Sequence, residues 1–233
     1  MNRQTVYPDI VSISISEYPE GKEQPVFNSD LFKIVISTTS EQKNAAENRN
    51  IAANKIIEQV DILSFFDADD YSAPRRIEVI KHIFENHDTD LFLHSYFEWT
   101  QELQKRHVKE ILPFLNKSPI EITSEFKINI NSELQFGQII PCFTYNKYSI
   151  TYGNVSIKTN SFSKIQFPED ELLFSCGEDS HFNYLHYKSG AKVLASSEQL
   201  TLYSINQNKL DPEVQKAMLN YLNNITLSNT TSC

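Results

Sequence analysis

The stretch from Asp61 to Tyr71, DILSFFDADDY, constrains this chain more than any other. Ile62, Leu63, Phe65 and Phe66 make a short apolar run rich in β-branched and aromatic residues. Bounded by charge, such a run reads as a strand buried on both faces. Three carboxylates, Asp67, Asp69 and Asp70, follow at its C-terminal end. In open α/β sheets that edge is where ligands bind, so the aspartates are expected at the rim of a crevice. Like charges this close repel one another and call for a counter-charge. Hard oxygen ligands at about 2.1 Å suit Mg²⁺ or Mn²⁺. An acidic turn that merely solvates a strand end is the alternative, and the rest of the chain decides between them.

With 233 residues the chain can bury one sizeable α/β core. A hydrophobic share of 40% and an aromatic share of 12% place it among folded globular chains rather than disordered ones. A net charge of −9 leaves no basic surplus with which to displace counterions from a nucleic acid. Cys142, Cys176 and Cys233 are widely spaced with no CxxC pair, which fits free thiols in a reducing compartment. The opening MNRQTVYPDIVSISIS lacks the apolar core of a signal peptide, and no stretch approaches a membrane span, so a soluble, cytoplasmic protein is expected.

Ile10 to Ser16 and Leu31 to Ser37 read as the first two strands, separated by a loop containing Pro19, Gly21 and Pro25. The polar turn Thr38 to Ser40 can cap a helix over Glu41 to Gln59, which leads into the carboxylate strand as a βαβ unit. After the aspartates, Ser72 and Pro74 fit a second helix start. Ile77, Ile80 and Phe84 then recur at helical spacing to about Asn86, with Arg75, Glu78 and Lys81 outside. Asp90 to Tyr96 is a fourth strand, and the alternation predicts a mostly parallel central sheet flanked by helices. From Gln101 to Gln138 the pattern predicts a helix and an edge strand or hairpin outside that sheet. Gly177 to Ser180, GEDS, opens a helix that runs to Lys188 and closes at Gly190. Lys192 to Leu194 and Gln199 to Tyr203 supply the last strands. A polar tail occupies 223–233.

Three segments together carry a resemblance: RNIAANKI (Arg49 to Ile56), ILSFFDADDYSAPRRIEVI (Ile62 to Ile80) and GEDSHFNYLHYKSGAKV (Gly177 to Val193). In this order they resemble a GT-A glycosyltransferase of the family-2 type, over about residues 30 to 205. There an RN-containing helix precedes a strand ending in DxD, a Pro follows, and a later ED pair opens a helix. Leu200 and Tyr203 stand at the positions of that family's L-x-x-Y element. The resemblance implies a Rossmann-like fold with a small acceptor-side lobe. It places a single domain over 1–222, with a nucleotide-binding half to about residue 100 and an acceptor half beyond it. The family's Pro and Tyr-Asn turn is replaced by Ser16-Glu17-Tyr18, so base-binding residues do not carry over.

The implied activity is metal-dependent transfer of a sugar from a nucleotide-sugar donor to a hydroxyl acceptor, glycan or other, with inversion by direct displacement. By resemblance Asp69 is the direct ligand of Mn²⁺ or Mg²⁺, Asp67 faces the ribose or the metal's waters, and Asp70 supports either. Arg49 approaches the nucleotide or pairs with the acidic cluster, since a guanidinium offers bidentate geometry to phosphate and carboxylate alike. The acceptor hydroxyl needs a base, and Asp179 is the candidate, ahead of Asp170 in PEDELL. His94 reads first as a structural residue, His181 and His186 are helix residues that face core or solvent equally well, and the aromatics Tyr96, Trp99 and Tyr152 read first as packing residues. Two other readings compete: a phosphatase of the haloacid-dehalogenase type, whose nucleophile also sits in an apolar strand ending in DxD, and a non-catalytic nucleotide- or glycan-binding module.

Overall fold

The structure, a computed structural model, describes residues 4–68, 70–99, 125–127, 135–137, 140–144, 154–169 and 178–204. The chain opens with β1 (Ile10–Ile15) and β2 (Lys33–Thr38), which pair in parallel as a two-stranded sheet. Helix α1 (Ala45–Asn54) follows, then a 3₁₀ turn over Ile57–Gln59. Asn44, rather than the Thr38 to Ser40 turn, caps α1. Its side chain accepts from the Glu47 backbone N–H at 2.8 Å, and the Glu47 carboxylate accepts from the Asn44 N–H at 2.8 Å. The serines of IVSISIS tie β1 to this helix, with Ser12 donating to the Ala52 carbonyl and Ser14 to the Asn48 side chain.

β3 (Ile62–Ser64) and β4 (Tyr71–Ser72) flank the acidic turn. Helix α2 (Arg76–Asn86) ends where the sequence places its end, and β5 (Leu91–Trp99) follows. Three short strands come next, β6 (Glu125–Lys127), β7 (Gln135–Gly137) and β8 (Ile140–Thr144), then β9 (Ser156–Lys158) and the short helix α3 (Thr159–Phe162). Helix α4 (Glu178–Lys188) closes at Gly190, whose φ of 86° is the left-handed conformation glycine takes without penalty. β10 (Val193–Ser204) is one continuous strand where two were expected, broken only by register shifts near Gln199.

The expectation of a mostly parallel sheet is corrected. The six-stranded sheet runs β3-β9-β5-β10-β4, with β6 on β10, and it is mixed. β5 and β10 pair in parallel, whereas β9 inserts antiparallel between β3 and β5. β3 and β5 therefore run the same way without touching, which preserves the βαβ sense while β9 supplies their hydrogen bonds. β6 pairs antiparallel with β10, so this strand belongs to the main sheet instead of lying outside it.

β5 explains why its sequence is apolar without alternation. Leu91 and Leu93 enter one core with Leu63, Ile157 and Phe182, while Phe92 faces the other with Ile77, Ile80 and Ile83 of α2. The first core centres on four rings. Phe167 stacks on Phe182 at 4.0 Å and meets Phe65 edge-on at 4.8 Å, and Phe162 closes the group at 5.5 Å from Phe65. Phe162 is fully buried. Phe162→Ala is expected to cost about 3–5 kcal/mol in unfolding free energy, read from the shift in urea midpoint at unchanged slope.

Candidate functional site

The acidic turn is held at both ends by the sheet. β3 pairs with β9 and β4 with β10, and past β3 the Phe65 N–H donates to the Val155 carbonyl at 2.9 Å. Within the turn the Asp70 N–H donates to the Asp67 carbonyl at 3.2 Å. Asp70 is buried, and the Asn154 amide reaches its Oδ2 at 3.5 Å. Asp67 is part-exposed. Asp69 lies outside the described residues, as do Asp170 and Tyr152.

Arg49, on α1, connects this turn to the far side of the site. One terminal nitrogen, Nη2, donates to Asp67 Oδ1 at 2.7 Å, and the other, Nη1, donates to Glu178 Oε1 at 2.6 Å. The guanidinium also lies over the Phe167 ring, 5.3 Å from its centroid. Burial alone would lower the proton affinity of Arg49. The attraction of Asp67, then Glu178, then Asp179 outweighs it and holds the group above its ordinary range. The carboxylates that the sequence placed 112 residues apart, Asp67 and Asp179, thus act on one cation. Glu178 and Asp179 occupy the first turn of α4, where the helix dipole favours negative charge.

The next residue of α1, Asn50, fixes a second segment. Its Oδ1 accepts from the Phe167 N–H at 3.0 Å, and its Nδ2 donates to the Phe167 carbonyl at 2.9 Å and to Glu169 Oε1 at 2.7 Å. The RN dipeptide therefore ties three places to α1: the acidic turn, the start of α4, and the chain at Phe167–Glu169.

Beneath the turn sits a residue the sequence did not single out. Arg76 is completely buried at the start of α2. Its Nη2 donates to the Phe65 carbonyl at 2.6 Å and to Ser64 Oγ at 3.2 Å, and its plane lies 4.6 Å from the Phe66 centroid. Among the described residues Nε and Nη1 find no hydrogen-bond partner. Burial pulls its pKa down to about 10, against the opposing pull of Asp67 and Asp70. His94 of β5 is also completely buried, with its Nδ1–H donating to the Ser95 carbonyl at 2.9 Å. Burial first, and then the charge of Arg76, pushes its pKa down to about 3, so the imidazole is neutral. His181 and His186 are buried in α4, where His186 meets Phe182 edge-on at 4.5 Å, and both are core residues. Tyr96 packs edge-on to Tyr203 at 5.2 Å.

The donor set facing the turn is all oxygen, the chemistry a hard divalent cation takes. Among the described residues, however, no group of three His, Cys, Asp or Glu side chains is placed to share a metal ion. Asp67 gives one oxygen to Arg49, and Asp70 is covered by Asn154. Glu178, Asn50 and Arg76 are the members of the site that sequence reasoning missed. RN in RNIAANKI and the ED of GEDS were the signals for the first two. Arg76 gave none, because an arginine in SAPRRIEVI reads as one more exterior helix charge.

The fold is one already seen in solved structures. Solved chains of S. aureus TarS, a glycosyltransferase, share it. TarS 1–349 in complex with UDP matches with a TM-score of 0.53 at 13% identity, over 85% of this chain and 56% of that one. The complex with UDP-GlcNAc matches with a TM-score of 0.51 at 15% identity, over 77% of this chain and 44% of that one. The chain thus spans about half the length of the solved chains it matches, and at this identity the likeness is one of fold. No protein-family model and no curated protein sequence matches the chain. Among the described residues no helix is long and apolar enough to cross a membrane.

His94 gives the site a measurable acid limit. Its folded pKa of about 3 lies below the ordinary 6.5, so the unfolded chain binds the proton first. Stability is expected to fall as pH drops below about 6.5, by up to about 1.4 kcal/mol per pH unit from this group. Chemical denaturation of His94→Gln between pH 7 and pH 4 should show a correspondingly shallower slope.

Proposed function

We propose that this chain transfers a sugar from a nucleoside-diphosphate sugar to a hydroxyl acceptor, inverting the anomeric centre by direct displacement. The observation that carries the reading is the convergence on Arg49 of the Asp67 turn and the Glu178-Asp179 helix start, within a glycosyltransferase fold. UDP and UDP-GlcNAc, bound by TarS, make a uridine diphosphate sugar the first donor to test. The fold is proposed to be of the GT-A, Rossmann-like kind, a single domain over 1–222 acting in the cytoplasm, with an acceptor-side lobe beyond about residue 100.

In the proposed reaction the acceptor oxygen forms a bond to the anomeric carbon as the bond from that carbon to the diphosphate oxygen breaks. The nucleoside diphosphate leaves with the electron pair. Asp179, on the acceptor side, takes the hydroxyl proton. Asp67 and Asp70 orient the donor from the turn, with Arg49 and Arg76 as fixed positive charges beside them. Mn²⁺ or Mg²⁺ would be held by Asp69 and the second oxygen of Asp67, and its charge would offset that of the diphosphate. A glycosyltransferase fold gives no support to the phosphatase reading.

UDP is expected to raise the melting temperature with Mn²⁺ present and to leave it unchanged in chelator, read by thermal shift. Equal stabilisation in chelator would remove the metal from the proposal. Asp179→Asn should lower transfer from UDP-GlcNAc by about 10²- to 10⁴-fold while UDP affinity stays near wild type. Unchanged turnover in this variant would transfer the base role elsewhere. Absence of turnover in wild type alongside intact UDP binding would favour a non-catalytic binding module.

A further inference from the structure

Glu178 has been given no role by the chemistry above, yet it is the more deeply held member of the ED pair. Its side chain is 10% exposed, that of Arg49 13%, and both lie within 2.6 Å of one another. Arg49 in turn reaches Asp67 at 2.7 Å. Both terminal nitrogens of the guanidinium are therefore occupied by carboxylates from elements 111 residues apart, as counted from Asp67 to Glu178. A guanidinium gripped by a carboxylate on each terminal nitrogen is fixed in both position and orientation by the two elements that carry them. It is also fixed from a third direction by the Phe167 ring, and Phe167 is itself held at both backbone groups by Asn50.

We propose that Arg49 and Glu178 are positioning residues, an ion-paired strut that holds the start of α4 at a set distance from the donor turn and so presents Asp179 to the acceptor. Glu178 and Asp179 are adjacent in the first turn of α4, so anchoring the first through its carboxylate fixes the backbone that carries the second. A base misplaced by about 1 Å loses on the order of 10² in rate without any change in the groups that grip the donor. The strut thus acts on turnover and not on donor affinity. This inference rests on the glycosyltransferase reading.

The test uses the full chain with UDP-GlcNAc as the probe donor and water or an added sugar as acceptor. UDP affinity is measured by calorimetry, and kcat and KM are measured separately. Glu178→Gln is expected to lower kcat by about 10²-fold while UDP affinity changes by less than about threefold. In kcat, Arg49→Met should match it, Arg49→Lys should recover most of the loss, and Arg49→Met combined with Glu178→Gln should be no worse than Arg49→Met alone. A Glu178→Gln variant with wild-type kcat overturns the strut while leaving the glycosyltransferase reading intact. So does an Arg49→Met defect confined to UDP affinity, which would make Arg49 a phosphate ligand. A wild-type chain that neither binds UDP nor consumes UDP-GlcNAc overturns the donor reading, and the strut falls with it. Arg49→Lys keeps the charge, so it reports on the strut even where Arg49→Met does not fold.

Discussion

A single guanidinium, that of Arg49, is the contact on which the geometry of the site depends. The two elements it joins are set by different parts of the fold. Asp67 sits past the end of β3, whose place is fixed by β9, whereas Glu178 begins a helix packed through Phe182 into the ring cluster. Nothing in the sheet itself dictates how far apart they lie. A buried ion pair of this kind adds little net stability against an apolar replacement. Removing one partner, however, strands a buried charge at a cost of about 3–5 kcal/mol. The pair therefore specifies an arrangement more than it strengthens the fold.

Arg76 raises the same issue from below. A guanidinium with no solvent exposure and two nitrogens unpartnered among the described residues is destabilising unless nearby negative charge compensates it. Asp67 and Asp70 supply that charge, and the Phe65 carbonyl and Phe66 ring hold the group in place. The turn is thereby flanked by two cations of different character. Arg49 reaches across the site to the start of α4, and Arg76 stays beneath the strand end. The neutrality of His94 follows from its complete burial first and from the charge of Arg76 second.

The parts of the architecture legible in the sequence were those written in local chemistry. The run from Ile62 marked a strand ahead of the carboxylates, though β3 stops at Ser64 and Phe65 and Phe66 lead on to Asp67, while Pro74 marked a helix start within two residues of Arg76 and Gly190 marked the end of α4. What escaped was set by partners far along the chain. Ser156–Lys158 is only three residues of strand, and no local pattern announces that it runs antiparallel between β3 and β5. The serines of IVSISIS interrupt its apolar pattern, and the hydrogen bonds of Ser12 and Ser14 go to α1, 40 and 34 residues on. Glu178 and Asp179 were a single motif in the sequence. Only their placement separates an anchored carboxylate from its neighbour, because adjacent helix positions differ by about 100° in direction.

The charge balance gives the proposed chemistry its sharpest constraint. Asp67, Asp70, Glu178 and Asp179 carry four negative charges within the fields of Arg49 and Arg76, which supply two positive ones. Asp69, between Asp67 and Asp70 in the sequence, adds a fifth carboxylate. On the proposed reading a diphosphate must approach this excess, and repulsion between like charges at short range in a partly buried site is far stronger than in water. Rearranging the arginines cannot offset it, because Arg49 is committed to Asp67 and Glu178, and Arg76 is enclosed under Phe66. On the proposed reading, positive charge brought in with the donor would make that approach favourable. Under this proposal the acidic excess therefore couples donor binding to a divalent cation, and the two arginines set the shape of the site while leaving its charge incomplete.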